Sequence, residues 1–120
     1  MKKKVTLLLL VVAGFIAAPI YSLAESQGLK ASEVCMMNNK FFGKEQIPVD
    51  VGGKTYYGCC QGCKTTLKEN PATRKSIDPY SGKEVDKADA FIVKKPNGSD
   101  EVLYFESRET YESFLKKHIQ

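Results

Sequence analysis

Histidine is nearly absent from this 120-residue chain: His118 is the only one, and it lies near the C-terminus, where it reads as a helix-end cation. Any metal site in the body of the chain must therefore do without imidazole. No Ser/His/Asp set, phosphate-binding glycine loop or paired-carboxylate pattern stands out, so no enzyme chemistry is expected. Long runs of positive charge are missing too. The scattered lysines read as a solvated surface, which excludes nucleic-acid binding. Apolar runs are equally scarce. The long one, Val5 to Ile16, is shorter than the roughly 20 residues a membrane-spanning helix needs.

That apolar run has a context. Met1-Lys2-Lys3-Lys4 precedes it as a basic segment, and Ser22-Leu23-Ala24 follows with small residues at the two positions a signal peptidase reads. Residues 1–24 are thus predicted to be a secretory signal cut after Ala24, with the mature chain exported to the periplasm or the extracellular space. Cleavage removes three lysines and no acid, so the formal charge falls from +4 to +1 and no membrane span remains. No cysteine lies near the cut to carry a lipid.

The mature 96 residues, from Glu25, bury a limited core, and chains of that size often carry a staple of disulfides or metal. Four cysteines are present: Cys35, Cys59, Cys60 and Cys63. An oxidising compartment suggests two disulfides. The spacing opposes this, because three thiols so close in sequence cannot tie distant segments together. At most one of them can pair with Cys35.

Residues 25–33 are polar and weakly patterned, a flexible lead-in. Alternation over Gln46 to Val51 predicts a strand, Gly52-Gly53 a hairpin turn, and Lys54 to Tyr57 the returning strand. Gly58 to Cys63 leads into a helix from Gln61 to about Glu69, which stops at Asn70-Pro71, with a short helical turn through Arg74. The plan then repeats. Asp78 to Gly82 is a turn, Ala88 to Lys94 and Glu101 to Phe105 are strands, and Ser107 caps a helix from Arg108 to about His118. Tyr111, Phe114 and Leu115 have core spacing on that helix. The aromatics Phe41, Phe42, Tyr56, Tyr57, Phe91, Tyr104 and Phe105 are expected in the core. Two ββα units follow, residues 34–76 and 77–120, with Tyr57 matching Tyr104, Cys59 Glu106, Cys60 Ser107 and Cys63 Thr110, and with Cys35 falling near Ser81. The second unit has lost every thiol.

Thiolates are soft donors that suit Cu(I) and Zn(II). Cys35 supplies one ligand from a turn, and Cys59 or Cys60 together with Cys63 supplies the others from a helix start. Residues three or four apart there face one direction. Met36 and Met37 flank Cys35; thioether is a Cu(I) ligand, but ordinary packing is the expected role of both.

Cys35, an interval of 23 residues, and Cys59-x-x-x-Cys63 resemble the TRASH domain, a metal-sensing and metal-trafficking module. The stretch Lys54 to Lys64 is similar to the related YHS domains, as is Asp78 to Asp86, where those domains carry a cysteine in place of Ser81. The resemblance implies an α+β fold of treble-clef-like ββα units, two degenerate repeats packed together. It also implies handling of copper or zinc, with a metal efflux or metal-delivery protein as partner. Cys60 is extra to the pattern, and Cys35-x-x-Asn38 gives one thiol where a closed treble clef has two. The site is therefore expected to be open or exchangeable. The rival reading is redox: Cys60-Gln61-Gly62-Cys63 is a Cys-x-x-Cys between a strand and a helix, as in thioredoxin-like proteins.

Overall fold

A computed structural model describes residues 28–119 together with Gly14. The predicted signal and cleavage site and residues 25–27 of the lead-in fall outside the described residues. The fold is α+β and contains one plan twice. Each copy is a short hairpin, a longer hairpin and a helix. In the first copy these are β1 (Val34–Cys35) with β2 (Lys40–Phe41), β3 (Ile47–Val51) with β4 (Lys54–Gly58), and α1 (Gln61–Glu69). In the second they are β5 (Lys75–Ile77) with β6 (Glu84–Asp86), β7 (Phe91–Lys94) with β8 (Val102–Phe105), and α2 (Arg108–Ile119). All four pairs are antiparallel and each is its own two-stranded sheet. Among the described residues no helix is long and apolar enough to cross a membrane.

The turns and caps explain the boundaries. Gly52 and Gly53 both take positive φ, 58° and 80°, as a tight two-residue hairpin loop requires. Asn70 ends α1 and its side chain accepts from Ala72 N at the start of the following 3-10 turn, Pro71–Arg74. The Arg74 guanidinium then donates to the carbonyls of Leu67 (2.7 Å) and Lys68 (3.2 Å), which otherwise lack helical partners. Strands β7 and β8 are shorter than expected. Residues 87–90 form a turn, and Glu101 pairs instead with Lys40 of the first copy.

An isolated two-stranded hairpin is marginal in water, and here neither copy stands alone. One apolar cluster joins Val34, Met36, Val49, Tyr56 and Leu67 of the first to Val85, Ile92, Val102 and Tyr104 of the second. Phe105 is fully buried and packs its ring on Tyr111 and Phe114 of α2 at 5.2 and 5.3 Å between centroids. Of the aromatics expected in the core, Phe42 is exposed. Residues 28–33 are not a free lead-in. Leu29 N donates to Ile92 O (2.7 Å), Gln46 N to Ser32 O (2.8 Å) and Phe42 N to Glu33 O (2.9 Å), so the segment is tied across both copies. Backbone pairing of this kind leaves no side-chain pattern, which is why polarity alone suggested looseness.

Asp86 is a polar seam between the copies. Its carboxylate accepts from the Tyr56 hydroxyl (2.8 and 2.9 Å) and from Ala88 N (3.0 Å), and pairs with Lys54 and Lys75 at 3.2 Å each. Burial raises its pKa, but the Tyr56, Ala88 and lysine donors outweigh that and bring it down to about 2, from 3.8. The folded value lies below the unfolded one, so the stabilisation is complete above the unfolded value and disappears as pH falls through the folded one. Allowing for solvent screening, wild type should lose about 1–2 kcal/mol of stability between about pH 4 and pH 2 through this group. Urea unfolding of Asp86→Asn across that range should give a flatter pH dependence; an unchanged slope would remove Asp86 from the acid response.

Candidate metal centre

The first turn of α1 brings the site together. Gly58 is the last residue of β4, and a Cβ there would stand 3.0 Å from Cys63 Cβ and 3.2 Å from Lys64 N. Only glycine lets the helix start so close to the strand end. Cys63 and Leu67, four residues apart on α1, share its buried face. Cys59, four residues before Cys63, precedes the helix on the same side. From the opposite direction comes the turn after β1, where Met36 N donates to Tyr57 O (2.8 Å) and so fixes Cys35 against the end of β4.

The Sγ atoms of Cys35, Cys59 and Cys63 all lie within 4.8 Å of one another, with Cys59 and Cys63 at 3.6 Å. All four cysteines are free thiols, so the two-disulfide arrangement is not the one adopted. Three sulfurs held about 2.3 Å from one ion stand roughly 3.8–4.0 Å apart, from simple trigonal or tetrahedral geometry. The sulfurs are therefore already near ligating positions and need move by less than about 1 Å. Cys35 and Cys63 are buried and Cys59 is exposed, which leaves the cluster open to solvent on one side.

Cys60 is placed differently. It is the N-cap of α1, and its Sγ accepts from Cys63 N at 3.3 Å. It lies beside Cys63 Sγ, also at 3.3 Å, but outside the three-sulfur group. Of the two thiols that spacing left open, Cys59 is the one that converges with Cys35 and Cys63. Met36 is fully buried in the core cluster and Met37 packs against it, in keeping with packing roles. His118 stacks on Phe114 (4.3 Å between centroids) at the far end of α2 and does not join the thiols.

Hydrogen bonds distribute the charge unevenly. Burial raises the Cys35 thiol, but the N–H groups of Asn38, Cys59 and Met37 outweigh it and the net shift is downward. Cys60 is lowered, chiefly by the Cys63 N–H. Cys59 is raised by desolvation and by its bond to Cys35. Burial pushes Cys63 up to about 12, helped by hydrogen bonds to Cys60 and Cys59. The metal-free cluster therefore favours negative charge at Cys35 and Cys60 and keeps Cys63 protonated between its neighbours.

Several supporting residues carry no sequence signal. Asn38 donates its backbone N–H to Cys35 Sγ (3.5 Å) and its side-chain amide to Cys59 Sγ (3.3 Å), bridging two of the ligating sulfurs. Asn39 adopts a left-handed φ of 52°, which asparagine tolerates. Its side-chain oxygen accepts from Lys87 Nζ (2.9 Å) and from the Tyr104 hydroxyl (3.0 Å), both of the second copy. Lys87 also donates to Met36 O at 2.7 Å. This lysine is buried; desolvation brings its pKa down to about 8, while the negative charge of Cys35 opposes the shift. The second copy thus places a cation beneath the Cys35 turn. These partners lie 48 to 65 residues from Asn39, beyond the reach of any local pattern.

Comparison with protein-family models, with curated proteins and with solved structures gives no match for this chain.

The second copy holds the same geometry without thiols. Ser107 Oγ accepts from Thr110 N (3.3 Å) as Cys60 Sγ accepts from Cys63 N, which supports the pairing of Cys60 with Ser107 and of Cys63 with Thr110. The partner of Cys35 is Asp78 and not Ser81. Asp78 N bonds Lys83 O across the short hairpin, where Cys35 faces Lys40 in the first copy. Its carboxylate accepts from Tyr80 N (2.7 Å), Ser81 N (3.0 Å), Glu106 N (2.8 Å) and Thr110 Oγ1 (2.7 Å). A fully buried carboxylate ties turn to helix where the first copy has its sulfur cluster.

Proposed function

We propose that this chain is an exported carrier or scavenger of a soft metal ion, Cu(I) or Zn(II), of the TRASH/YHS type, and that it acts by binding and not as an enzyme. The observation that carries this reading is the convergence of Cys35, Cys59 and Cys63 Sγ atoms, within 4.8 Å, from two separate chain segments. A purely structural role for three thiols gives no reason to gather them at the surface end of a helix. Cu(I) is satisfied by three thiolates, whereas Zn(II) would take a fourth ligand from water or a delivery partner. The exposed side of Cys59 provides the opening for such exchange.

The reduced chain should bind one ion, seen as a single metal adduct by native mass spectrometry under anaerobic conditions. Each ligand must shed its proton, so binding should release protons and affinity should fall as pH falls. The Cys63 thiol, with its value raised to about 12, makes that release complete only once the ion is in place. Competitive titration with Cu(I) and Zn(II) chelators at several pH values measures both effects. Absence of any adduct with either ion would reject the proposal.

A further inference from the structure

The metal reading leaves one thiol unused. Cys60 is exposed, lies outside the three-sulfur group, and still sits 3.3 Å from the buried sulfur of Cys63. An N-cap needs only an acceptor atom, and serine serves that role at the matching position of the second copy. Capping alone therefore does not account for a sulfur here. Its neighbour Gly62 adds no side chain beside it; a Cβ there would stand 3.8 Å from Cys60 Sγ. Cys59 is the other neighbour of Cys63, at 3.6 Å, but its sulfur already accepts from the Asn38 amide (3.3 Å) and belongs to the three-sulfur group.

We propose that Cys60 and Cys63 form a thiol–disulfide exchange pair that competes with the metal for Cys63, so that a disulfide of a small molecule or protein both oxidises the pair and expels the ion. The Cys60 thiolate attacks one sulfur of the incoming disulfide. That S–S bond breaks, a mixed disulfide forms on Cys60, and the first thiolate leaves and takes up a proton. Cys63 then loses its proton, or its metal, and attacks Cys60 Sγ. The mixed disulfide breaks, the Cys60–Cys63 bond forms, and a second thiol departs. Two electrons and two protons pass from the pair to the incoming disulfide, which becomes two thiols. Cys35 and Cys59 remain as a two-thiolate remnant that holds the ion more weakly and yields it to a competing acceptor. The release half of this proposal rests on the metal reading; the exchange half does not.

The experiment treats the reduced full mature chain with oxidised glutathione, with and without Cu(I), and maps disulfides by alkylation and peptide mass. The metal-free protein should lose two thiols, those of Cys60 and Cys63, while Cys35 and Cys59 remain free to alkylate. Metal-loaded protein should form the Cys60–Cys63 disulfide more slowly, because the Cys63 sulfur that must resolve the mixed disulfide is occupied. The oxidised product should bind Cu(I) on the order of 100-fold more weakly, the loss of one thiolate from the site. Cys60→Ser keeps a capping oxygen, should bind the ion as wild type does when reduced, and should retain it under glutathione disulfide. An intramolecular disulfide mapped to Cys35 or Cys59, or a Cys60→Ser protein that loses metal at the wild-type rate, overturns the proposal. If the pair oxidises as described but the reduced chain binds no metal, the exchange activity stands and the metal reading falls.

Discussion

Cys35→Ser should abolish tight metal binding while leaving the metal-free fold close to wild type. Of the three converging sulfurs, Cys35 alone comes from outside the helix start, so it closes the site between turn and helix. A serine hydroxyl is a hard donor and is not deprotonated at neutral pH, so the site drops to two adjacent thiolates. Structural metal sites carry about 10–16 kcal/mol over their whole ligand set, so one ligand of three or four is worth roughly 3–4 kcal/mol. Affinity should therefore fall on the order of 100- to 1,000-fold. Because binding is coupled to folding, the rise in melting temperature on adding metal should largely disappear as well. The metal-free protein should change little, since the Asn38 and Cys59 N–H groups that serve Cys35 can donate to an oxygen. Cys63→Ser should match Cys35→Ser, and Cys60→Ser should cost far less than either. Competitive titration of the three variants under reducing conditions measures the series. Equal affinities for wild type and Cys35→Ser would dismantle the three-thiolate site.

The features that sequence conveyed were those set by short-range chemistry. Gly52-Gly53 between alternating residues defined the longer hairpin of the first copy. Asn70-Pro71 marked the end of α1, and Ser107 the start of α2. The repeat itself was visible because Tyr57 and Tyr104 occupy the same place before a helix in each copy. The short hairpins were not visible: β1, β2, β5 and β6 are two or three residues long, too brief for a period of two to register. Their absence from the reading is also why Cys35 was matched to Ser81. The residue pattern points to Ser81, but the hairpin pairing puts Asp78 in that place, three residues earlier.

The site was legible in part for the same reason. Thiol spacing identified the helix start and the turn as the two sources of ligands. It did not separate Cys59 from Cys60, because both lie within one turn of Cys63. That separation comes from the geometry: Cys60 Sγ turns back to the Cys63 N–H, while Cys59 Sγ is the one grouped with Cys35 and Cys63. Lys87 and Tyr104 support the site through Asn39 from across the interface between the copies, and only the shared core brings them there.

Asp78→Ala should be the most destabilising single change outside the apolar core, with or without metal. The Asp78 side chain is fully buried and both carboxylate oxygens are used, Oδ1 by Tyr80 N and Ser81 N, Oδ2 by Glu106 N and Thr110 Oγ1. Burial raises its pKa, but the donors of Glu106, Ser81, Thr110 and Tyr80 outweigh it and hold the group below the ordinary carboxylate range. It is therefore ionised at neutral pH and stabilises the fold there, an effect lost in acid as pH falls through the depressed folded value. Alanine removes the acceptor and leaves the part-buried N–H groups of Tyr80, Ser81 and Glu106 and the Thr110 hydroxyl without this partner. Breaking a buried, charge-assisted network of this kind costs about 3–5 kcal/mol, a large share of the roughly 5–15 kcal/mol that stabilises a small domain. The melting temperature should fall by about 15–30 °C. Asp78→Asn should lie between, because one amide hydrogen would face a donor already present. Glu106→Ala should be nearly silent, since only the Glu106 backbone N–H takes part and its side chain is exposed. The two copies then separate by experiment. Asp78→Ala should lower stability but preserve the increment that metal adds, while Cys35→Ser should do the reverse. Thermal unfolding of both variants, each with and without the ion, tests this. A melting temperature for Asp78→Ala within a few degrees of wild type would show that the carboxylate does not join turn to helix in the second copy as the sulfur cluster does in the first.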